Sequence, residues 1–423
     1  MSVGGVPRGC SSFCWSWWLL QSGSSAPSSE HQGCRNRPGW ATRTLPLTEA
    51  PPVILLLAGE ASGDLHGAHL ARALRARMPH VELRGTGGDA MAAEGVELVA
   101  GLDRLAVMGF VEVLSKLPYF WKLERRIRGI LNRQEVDLVI AIDYPGFNLR
   151  AVEYAHRRSV PSIFYIAPQV WAWKKGRAAR LADAADRIAV ILPFEEEIFE
   201  AEGGRARYVG HPLLDHTEAI PDRAAFCAEW DLDPERPILS VFPGSRAQEV
   251  KRHLSPFLET ARRLREARPG LQIALARVPG VELEAESWED CTPVSGSRPL
   301  LRHSLAALVK SGTTTLEAAI EGTPFVVAYR TSPLTYRIAR KLVSVEHVAL
   351  ANLVAGDRVV PEFLQGEVTP ERLVPALLPL LDEGDARERM LARLRMIRER
   401  LGSPGAADRV AEMAVDLLGG EVP

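Results

Sequence analysis

From Pro51 onward, short runs of β-branched and leucine residues alternate with longer stretches rich in Arg, Ala and Leu. Such short, mostly apolar runs read as strands of a parallel sheet covered on both faces, and the longer stretches read as the helices that cover it. The pattern predicts strands at 53–57, 81–84, 138–142, 162–166 and 188–192. After Gly210-His211-Pro212 the chain turns polar through Asp233-Pro234-Glu235-Arg236-Pro237. The alternation then restarts, with strands predicted at 238–242, 272–276, 306–309 and 325–328. The expected class is therefore α/β: two doubly wound parallel-sheet, Rossmann-like domains, 51–215 and 216–423. They face a cleft at the carboxyl ends of their strands, where such folds bind ligands.

Residues 1–50 do not fit this alternation. They are rich in Ser, Gly and Pro, and are expected to be a disordered extension or an over-long start to the reading frame. Their Trp-rich stretch 13–20 is too short to span a bilayer. The charges nearly cancel, with 51 Lys and Arg against 53 Asp and Glu. No protein-wide field therefore points to nucleic acid, and an anionic partner must be met by local basic patches. Three of the five cysteines fall in the first 34 residues without paired ligand spacing, so neither a disulfide framework nor a zinc site is expected.

Candidate chemistry gathers where strands run into helices. The first predicted strand leads into Gly59-Glu60-Ala61-Ser62-Gly63-Asp64, where glycines permit a tight turn and a helix start presents backbone N–H groups. Glu60 and Asp64 argue against a bare phosphate cradle and for contacts to hydroxyls; a plain strand-to-helix turn fits equally well. The strand at 138–142 ends in Asp143-Tyr144-Pro145-Gly146-Phe147-Asn148, so Asp143 is either a cleft-facing carboxylate or a turn former.

In the second unit, Pro243-Gly244-Ser245-Arg246 and Ser311-Gly312-Thr313-Thr314 follow strands in the same way. Hydroxyls and helix N-terminal amides suit a diphosphate, Arg246 could add a bidentate cation, and Glu317 could accept hydrogen bonds from ribose hydroxyls. Capping residues and a favourable first-turn charge would explain each loop singly. Neither unit has the G-x-G-x-x-G loop of a nicotinamide-dependent dehydrogenase.

Aromatics and aliphatics interleave with cations through Leu117, Tyr119, Phe120, Trp121, Lys122, Arg125, Arg126 and Arg128. This reads either as an interfacial segment resting in lipid headgroups or as a helix packing its apolar face on the core. Trp171-Ala172-Trp173-Lys174-Lys175-Gly176-Arg177 adds a second basic, tryptophan-bearing stretch.

Gly59 to Asp64, Leu105-Ala106-Val107-Met108-Gly109 and Ile142 to Asn148 recur in order with Pro168-Gln169-Val170-Trp171-Ala172-Trp173 and Gly210-His211-Pro212. Pro243 to Arg246, Ser311 to Glu317 and Asn352-Leu353-Val354-Ala355-Gly356 complete the series. Over some 370 residues the chain thereby resembles the lipid-A-disaccharide synthase family. The resemblance implies a glycosyltransferase of the B fold, with an acceptor- and membrane-binding first domain and a UDP-sugar-binding second domain.

It further implies inverting transfer of 2,3-diacylglucosamine from UDP to 2,3-diacylglucosamine 1-phosphate, giving a beta-1,6 disaccharide and UDP in lipid A biosynthesis. On this reading Asp143 is the general base, Glu60 is the alternative base or orients the acceptor, and Arg246 stabilises the charge that grows on the diphosphate. Ser245, Arg246, Ser311, Gly312, Thr313, Thr314, Glu317 and Asn352 bind UDP, and Ser62, Asp64 and Asn148 meet the acceptor. Leu117, Tyr119, Phe120, Trp121, Arg125 and Arg126 contact an anionic inner-membrane surface, to which a cytoplasmic enzyme binds peripherally.

No metal and no cofactor are implied, nor a nucleic-acid partner, and a homodimer is compatible with the resemblance. Asp231-Leu232-Asp233 is expected to be a turn. Two departures stand out: Ala351 where the family has proline, and the leader, which has no counterpart.

Overall fold

The computed structural model describes residues 51–102, 110–171, 176–215, 219–277, 291–342 and 346–419. The first unit runs β1 (Val53–Ala58), α1 (Ala61–Arg77), β2 (Glu82–Gly87), α2 (Asp89–Ala93), β3 (Glu97–Gly101), α3 (Phe110–Asn132), β4 (Leu138–Ile142), α4 (Pro145–Arg157), β5 (Ser162–Tyr165), α5 (Gly176–Ala184), β6 (Arg187–Val190), α6 (Glu195–Ala201) and β7 (Ala206–Tyr208). Its seven strands form one parallel sheet in the order β3-β2-β1-β4-β5-β6-β7.

After α7 (Arg223–Glu229) the second unit runs β8 (Ile238–Phe242), α8 (Ala247–Ala267), β9 (Gln272–Ala276), β10 (Thr292–Val294), α9 (Ser297–Arg302), β11 (Ala306–Lys310), α10 (Thr314–Glu321), β12 (Phe325–Tyr329), α11 (Pro333–Leu342), α12 (Leu350–Ala355) and β13 (Glu362–Leu364). Helices α13 (Pro370–Leu377), α14 (Asp385–Arg400) and α15 (Ala406–Leu417) close the chain. The second sheet, also parallel, has the order β10-β9-β8-β11-β12-β13. Both units are doubly wound α/β domains, as the alternation predicts.

The central strands explain why the pattern is so legible. Side chains alternate across a strand, and in β1 and β4 both faces are covered. Ile54, Leu56, Leu138, Ile140 and Ile142 enter one apolar cluster with α1, while Leu55, Leu57 and Val139 enter another with α3 and α4. All nine central positions named by β4 and by residues 54–57 are fully buried, and each such aliphatic contributes about 1.5–3 kcal/mol. The four strands that the pattern does not announce, β3, β7, β10 and β13, are three to five residues long and largely half-exposed, so they carry no continuous apolar run.

One element crosses the expected boundary. A division at residue 216 assigns α15 to the second unit, whereas Val410, Ala411, Met413 and Ala414 pack with α1 on the first sheet. Asp215 anchors this return by accepting from the Gly405 N–H at 2.6 Å and the Ala406 N–H at 3.3 Å, at the start of α15. Arg409 Nε donates to the Val209 carbonyl at 2.7 Å. The physical reason is the apolar face of α15, which has no place to go on a second sheet already covered by α13 and α14 residues such as Leu373, Leu394 and Ile397.

Candidate active site

In each parallel sheet the strand order reverses between two neighbouring strands, and loops leaving such a pair diverge to open a crevice. In the first sheet the pair is β1 and β4; in the second it is β8 and β11. The loops that follow these four strands are those with the candidate chemistry.

The turn after β1 needs a glycine because another side chain occupies its space. A Cβ on Gly59 would lie 2.3 Å from the Tyr144 ring, so the ring lies directly against the backbone. Glu60 then takes the N-cap position of α1 in an extended conformation, without using its side chain as a cap. After β4, Asp143 and Tyr144 both have left-handed backbones, with φ of 48° and 49°. Two consecutive non-glycine residues in that region are costly, and such strain persists only where surrounding contacts impose it.

Asn148 supplies those contacts. Its Nδ2 donates to the carbonyls of Leu57 at 3.0 Å, Ile142 at 3.1 Å and Asp143 at 2.7 Å. The side chain thus ties the ends of β1 and β4 together and fixes the strained turn. Buried at 1% exposure, it faces backbone carbonyls, a different position from the acceptor contact expected of it.

Asp64 is likewise engaged: its carboxylate accepts from the N–H groups of Gly88 at 2.7 Å, Ala90 at 3.1 Å and Met91 at 3.1 Å, at the start of α2. Ser62 is buried in the first turn of α1.

Glu60 and Asp143 form the electrostatic centre. Burial pushes the Glu60 carboxyl well above the usual carboxylate range, the Asp143 charge pushes it further, and Arg246 offsets part of the shift. Burial also raises Asp143, against a hydrogen bond from the Tyr144 backbone. Two like charges in one buried place cannot both form readily, so the pair separates into a more acidic Asp143 and a Glu60 that keeps its proton. Arg246 belongs to the other sheet, and its influence on Glu60 brings the two switch points to one cleft.

On the second side, Arg246 takes the N-cap position of α8 in an extended conformation, without a side-chain cap bond, beside Ser245. Thr313 caps α10 and Thr314 opens it, so the loop after β11 meets a helix N-terminus, with its positive backbone end. Ser311 is buried and its Oγ donates to the Val348 carbonyl at 2.8 Å; Gly312 follows. The Glu317 carboxylate is buried and accepts from Ser297 Oγ at 2.9 Å, and burial raises it despite that bond and nearby Arg298.

Asn352 is fully buried with its hydrogen-bonding capacity used. Its Nδ2 donates to Val360 O at 2.9 Å and Glu362 Oε1 at 2.7 Å, and its Oδ1 accepts from the N–H groups of Val359 and Val360. Its side chain holds the loop before β13 and has no capacity left for a ligand. Glu362, which the sequence reading did not single out, joins this clamp through the N–H groups of Val348 and Ala349.

The basic aromatic segment divides between its two readings. Phe120, Leu123, Ile127 and Ile130 form the buried stripe of α3, so Phe120, at 5% exposure, is core and not a surface anchor. Tyr119 is half-buried and packs edge-on against Phe120 at 6.3 Å. Trp121 is 72% exposed, and Lys122, Arg125 and Arg126 share its exposure. The Leu117 side chain, Leu105 to Gly109, and Ala172 to Lys175 lie outside the described residues. Among the described residues, no helix is long and apolar enough to cross a membrane. Asp231 lies in the turn that ends α7, and Asp233 precedes the next turn, where its Oδ1 accepts from the Glu235 N–H at 2.9 Å.

The family model described as lipid-A-disaccharide synthetase matches residues 54–411. The lipid-A-disaccharide synthase of Myxococcus xanthus is 41% identical over 375 residues, covering 87% of this chain and 98% of that protein. That of Syntrophus aciditrophicus is 40% identical over 383 residues, covering 86% and 98%.

The chain belongs to the lipid-A-disaccharide synthase family.

As a member of that family it is a glycosyltransferase of lipid A biosynthesis, in a family that acts on UDP-sugar substrates. Among solved structures, the fold is similar to a putative UDP-N-acetylglucosamine 2-epimerase of Listeria monocytogenes, with TM-score 0.60, 14% identity and coverage of 88% of this chain and 99% of that one. It is also similar to the glycotransferase of kitacinnamycin, with TM-score 0.59, 19% identity and coverage of 87% and 99%. At such identities the likeness speaks for the fold alone, which is that of the B-type glycosyltransferases.

A further buried carboxylate near the Trp171 segment has no counterpart among the residues singled out from the sequence. Glu195 is 1% exposed and accepts from Trp171 Nε1 at 3.0 Å and the Leu192 N–H at 3.1 Å. Burial pushes its carboxyl up to about 7 against those bonds. Three consecutive glutamates, Glu195 to Glu197, look like a solvated helix start, and nothing local marks which of them turns inward.

Proposed function

We propose that the chain transfers 2,3-diacylglucosamine from UDP to the 6-hydroxyl of 2,3-diacylglucosamine 1-phosphate with inversion, giving a beta-1,6 disaccharide and UDP. The observation that carries this reading is the meeting of Asp143 and Glu60 from one sheet with Arg246 from the other. Asp143, the more acidic of the pair, is ionised near neutral pH and takes the acceptor hydroxyl's proton as that oxygen attacks the anomeric carbon. Such a base contributes about 100- to 10,000-fold. Glu60 keeps its proton and donates a hydrogen bond that orients the acceptor.

The UDP diphosphate sits between the loops after β8 and β11, where Arg246 and the α10 N-terminus meet the charge that grows as the bond to the sugar breaks. Ser245, Gly312, Thr313 and Thr314 line this seat. Glu317, held by Ser297, accepts from the ribose. Ser311, Asn352, Ser62, Asp64 and Asn148 shape the backbone around the substrates.

The acyl chains of both substrates favour the bilayer by about 0.8 kcal/mol per methylene, so the enzyme works at the inner-membrane surface from the cytoplasmic side. Exposed Trp121 with Lys122, Arg125 and Arg126 supports attachment there.

The test is turnover of the two lipid substrates by Asp143→Asn, Arg246→Ala and Glu317→Ala, with UDP affinity by calorimetry. Asp143→Asn should lose most turnover with UDP affinity intact, and the other two should weaken UDP. Near-normal turnover in Asp143→Asn removes the assigned base. A 2-epimer of the donor in place of a disaccharide would overturn the reaction itself.

A further inference from the structure

Beneath the turn after β8 lies a charged pair that the reaction as described does not use. Lys310 ends β11, immediately before Ser311, and thus stands on the floor between the two loops of the second switch point. Its Nζ is 2.9 Å from Glu249 Oε1, and the two side chains are 8% and 13% exposed. Glu249 Oε2 accepts from the Ser245 N–H at 3.0 Å. The carboxylate therefore reaches up from the first turn of α8 into the loop that carries Ser245 and Arg246.

Gly244 is shaped to this contact: its φ is +133°, and a Cβ there would lie 2.6 Å from Glu249 Cβ and 2.8 Å from Oε2.

The surroundings fix the pair on every side. The Glu249 carbonyl meets His253 Nδ1 at 2.7 Å, and His253 Nε2 accepts from the Arg330 N–H at 2.7 Å. A nitrogen that accepts from an N–H carries no proton, so Nδ1 is the donor and the ring is neutral. Burial, foremost, keeps it so, holding His253 down to about 4. Tyr329 stacks on His253 at 5.9 Å and takes Lys310 Nζ against its ring face at 5.5 Å. Burial pushes the Lys310 ammonium down and Glu249 draws it back up; burial pushes Glu249 up, and Lys310, Ser245 and Arg246 together hold it below its usual value.

We propose that Lys310 and Glu249 are a positioning pair for the donor diphosphate: Glu249 holds the Gly244–Ser245–Arg246 turn by its backbone, and Lys310 cancels the carboxylate charge so that an anion can be seated above it. The inference rests on the reading that the UDP diphosphate lies between these loops. A buried carboxylate directly beneath a diphosphate is repulsive, and the interaction is strong because water does not screen it. Lys310 removes that repulsion without itself having to touch the ligand. Glu249, in turn, holds a backbone N–H whose position would otherwise depend on the ligand arriving. The roles of the two residues are therefore unequal, which separates this pair from a simple brace of the fold.

The experiment measures binding of UDP and of uridine to Lys310→Met, Glu249→Gln and the double variant. Lys310→Met leaves the carboxylate without its ion-pair partner and should weaken UDP on the order of tenfold or more, with uridine unchanged. Glu249→Gln keeps an oxygen to accept the Ser245 N–H and removes the negative charge, so it should bind UDP at least as tightly as the wild type. The double variant should regain most of the affinity lost by Lys310→Met, and it serves as the reference if that single variant fails to fold.

Parallel loss of UDP and uridine in both single variants, or no loss of UDP in Lys310→Met, would overturn the proposal. Arg246→Ala separates the two levels. If it too leaves UDP affinity untouched, the diphosphate is not seated here and the underlying reading fails; if it weakens UDP while Lys310→Met does not, only the role of the pair is refuted.

Discussion

Asp143→Asn should make the protein more stable as it makes it inactive. Burial raises the Asp143 carboxyl from 3.8 to about 6, so ionising it costs more in the folded protein than in the unfolded chain. A group raised in this way favours the fold fully below its unfolded value, and that contribution is lost as pH rises through about 6. At about 1.4 kcal/mol per unit, the penalty is about 3 kcal/mol at pH 8 and about half of that at pH 5.

Asparagine carries no charge, is nearly isosteric and tolerates the left-handed backbone that position 143 requires. Removing the Asp143 charge also relieves Glu60, which that charge pushes upward. Urea denaturation of wild type and variant at pH 5 and pH 8 reads the effect directly. The expected outcome is a gain of about 1–3 kcal/mol at pH 8 that shrinks by about half at pH 5, in a variant whose turnover falls by two or more orders of magnitude. A variant less stable than wild type at pH 8, or a gain that ignores pH, would refute the electrostatic account of the Glu60–Asp143 centre.

Asn148→Ala removes the donor shared by Leu57, Ile142 and Asp143, and should cost about 3 kcal/mol in urea unfolding, since buried groups left unsatisfied cost about 1–3 kcal/mol each. It should also lower turnover with UDP affinity kept, and wild-type stability would disprove the clamp. Trp121→Ser should weaken co-sedimentation with anionic vesicles at low salt without a change in melting temperature, because the side chain is exposed and its cationic neighbours each add about 1 kcal/mol that salt screens. Vesicle binding equal to wild type would remove α3 from the membrane surface.

The sequence by itself determined the class of fold and marked the loops that carry the candidate chemistry. Strands β1, β4, β8, β9 and β11 are covered on both faces along most of their length, and a doubly covered parallel strand reads as a mostly apolar run, so it is visible locally. The loops after β1, β4, β8 and β11 are visible for a related reason: close approaches, such as that of Tyr144 to Gly59, demand glycine, and helix starts favour small polar residues.

What those residues do once the chain closes was decided by partners far away along it. Asn148 looks like a cleft residue until its amide meets Leu57 O, 91 positions earlier. Asp64 looks like a hydroxyl ligand until α2 arrives over it, and Asn352 looks like a UDP contact until the loop before β13 consumes its amide. The same holds for Phe120 and Trp121, adjacent in an aromatic run and sent to opposite sides by a 100° helical step that only the sheet beneath α3 puts in register. Helix α15 carries an ordinary apolar stripe that says it must be buried and not on which sheet. Lys310 and Glu249 give no local sign at all: a lysine closing an apolar strand and a glutamate in a first helical turn are each unremarkable, and become a buried ion pair only when β8 and β11 lie side by side. Short-range physics writes burial and turns into the sequence, whereas the pairing of polar groups depends on which distant elements share a surface, and that is settled by the tertiary structure.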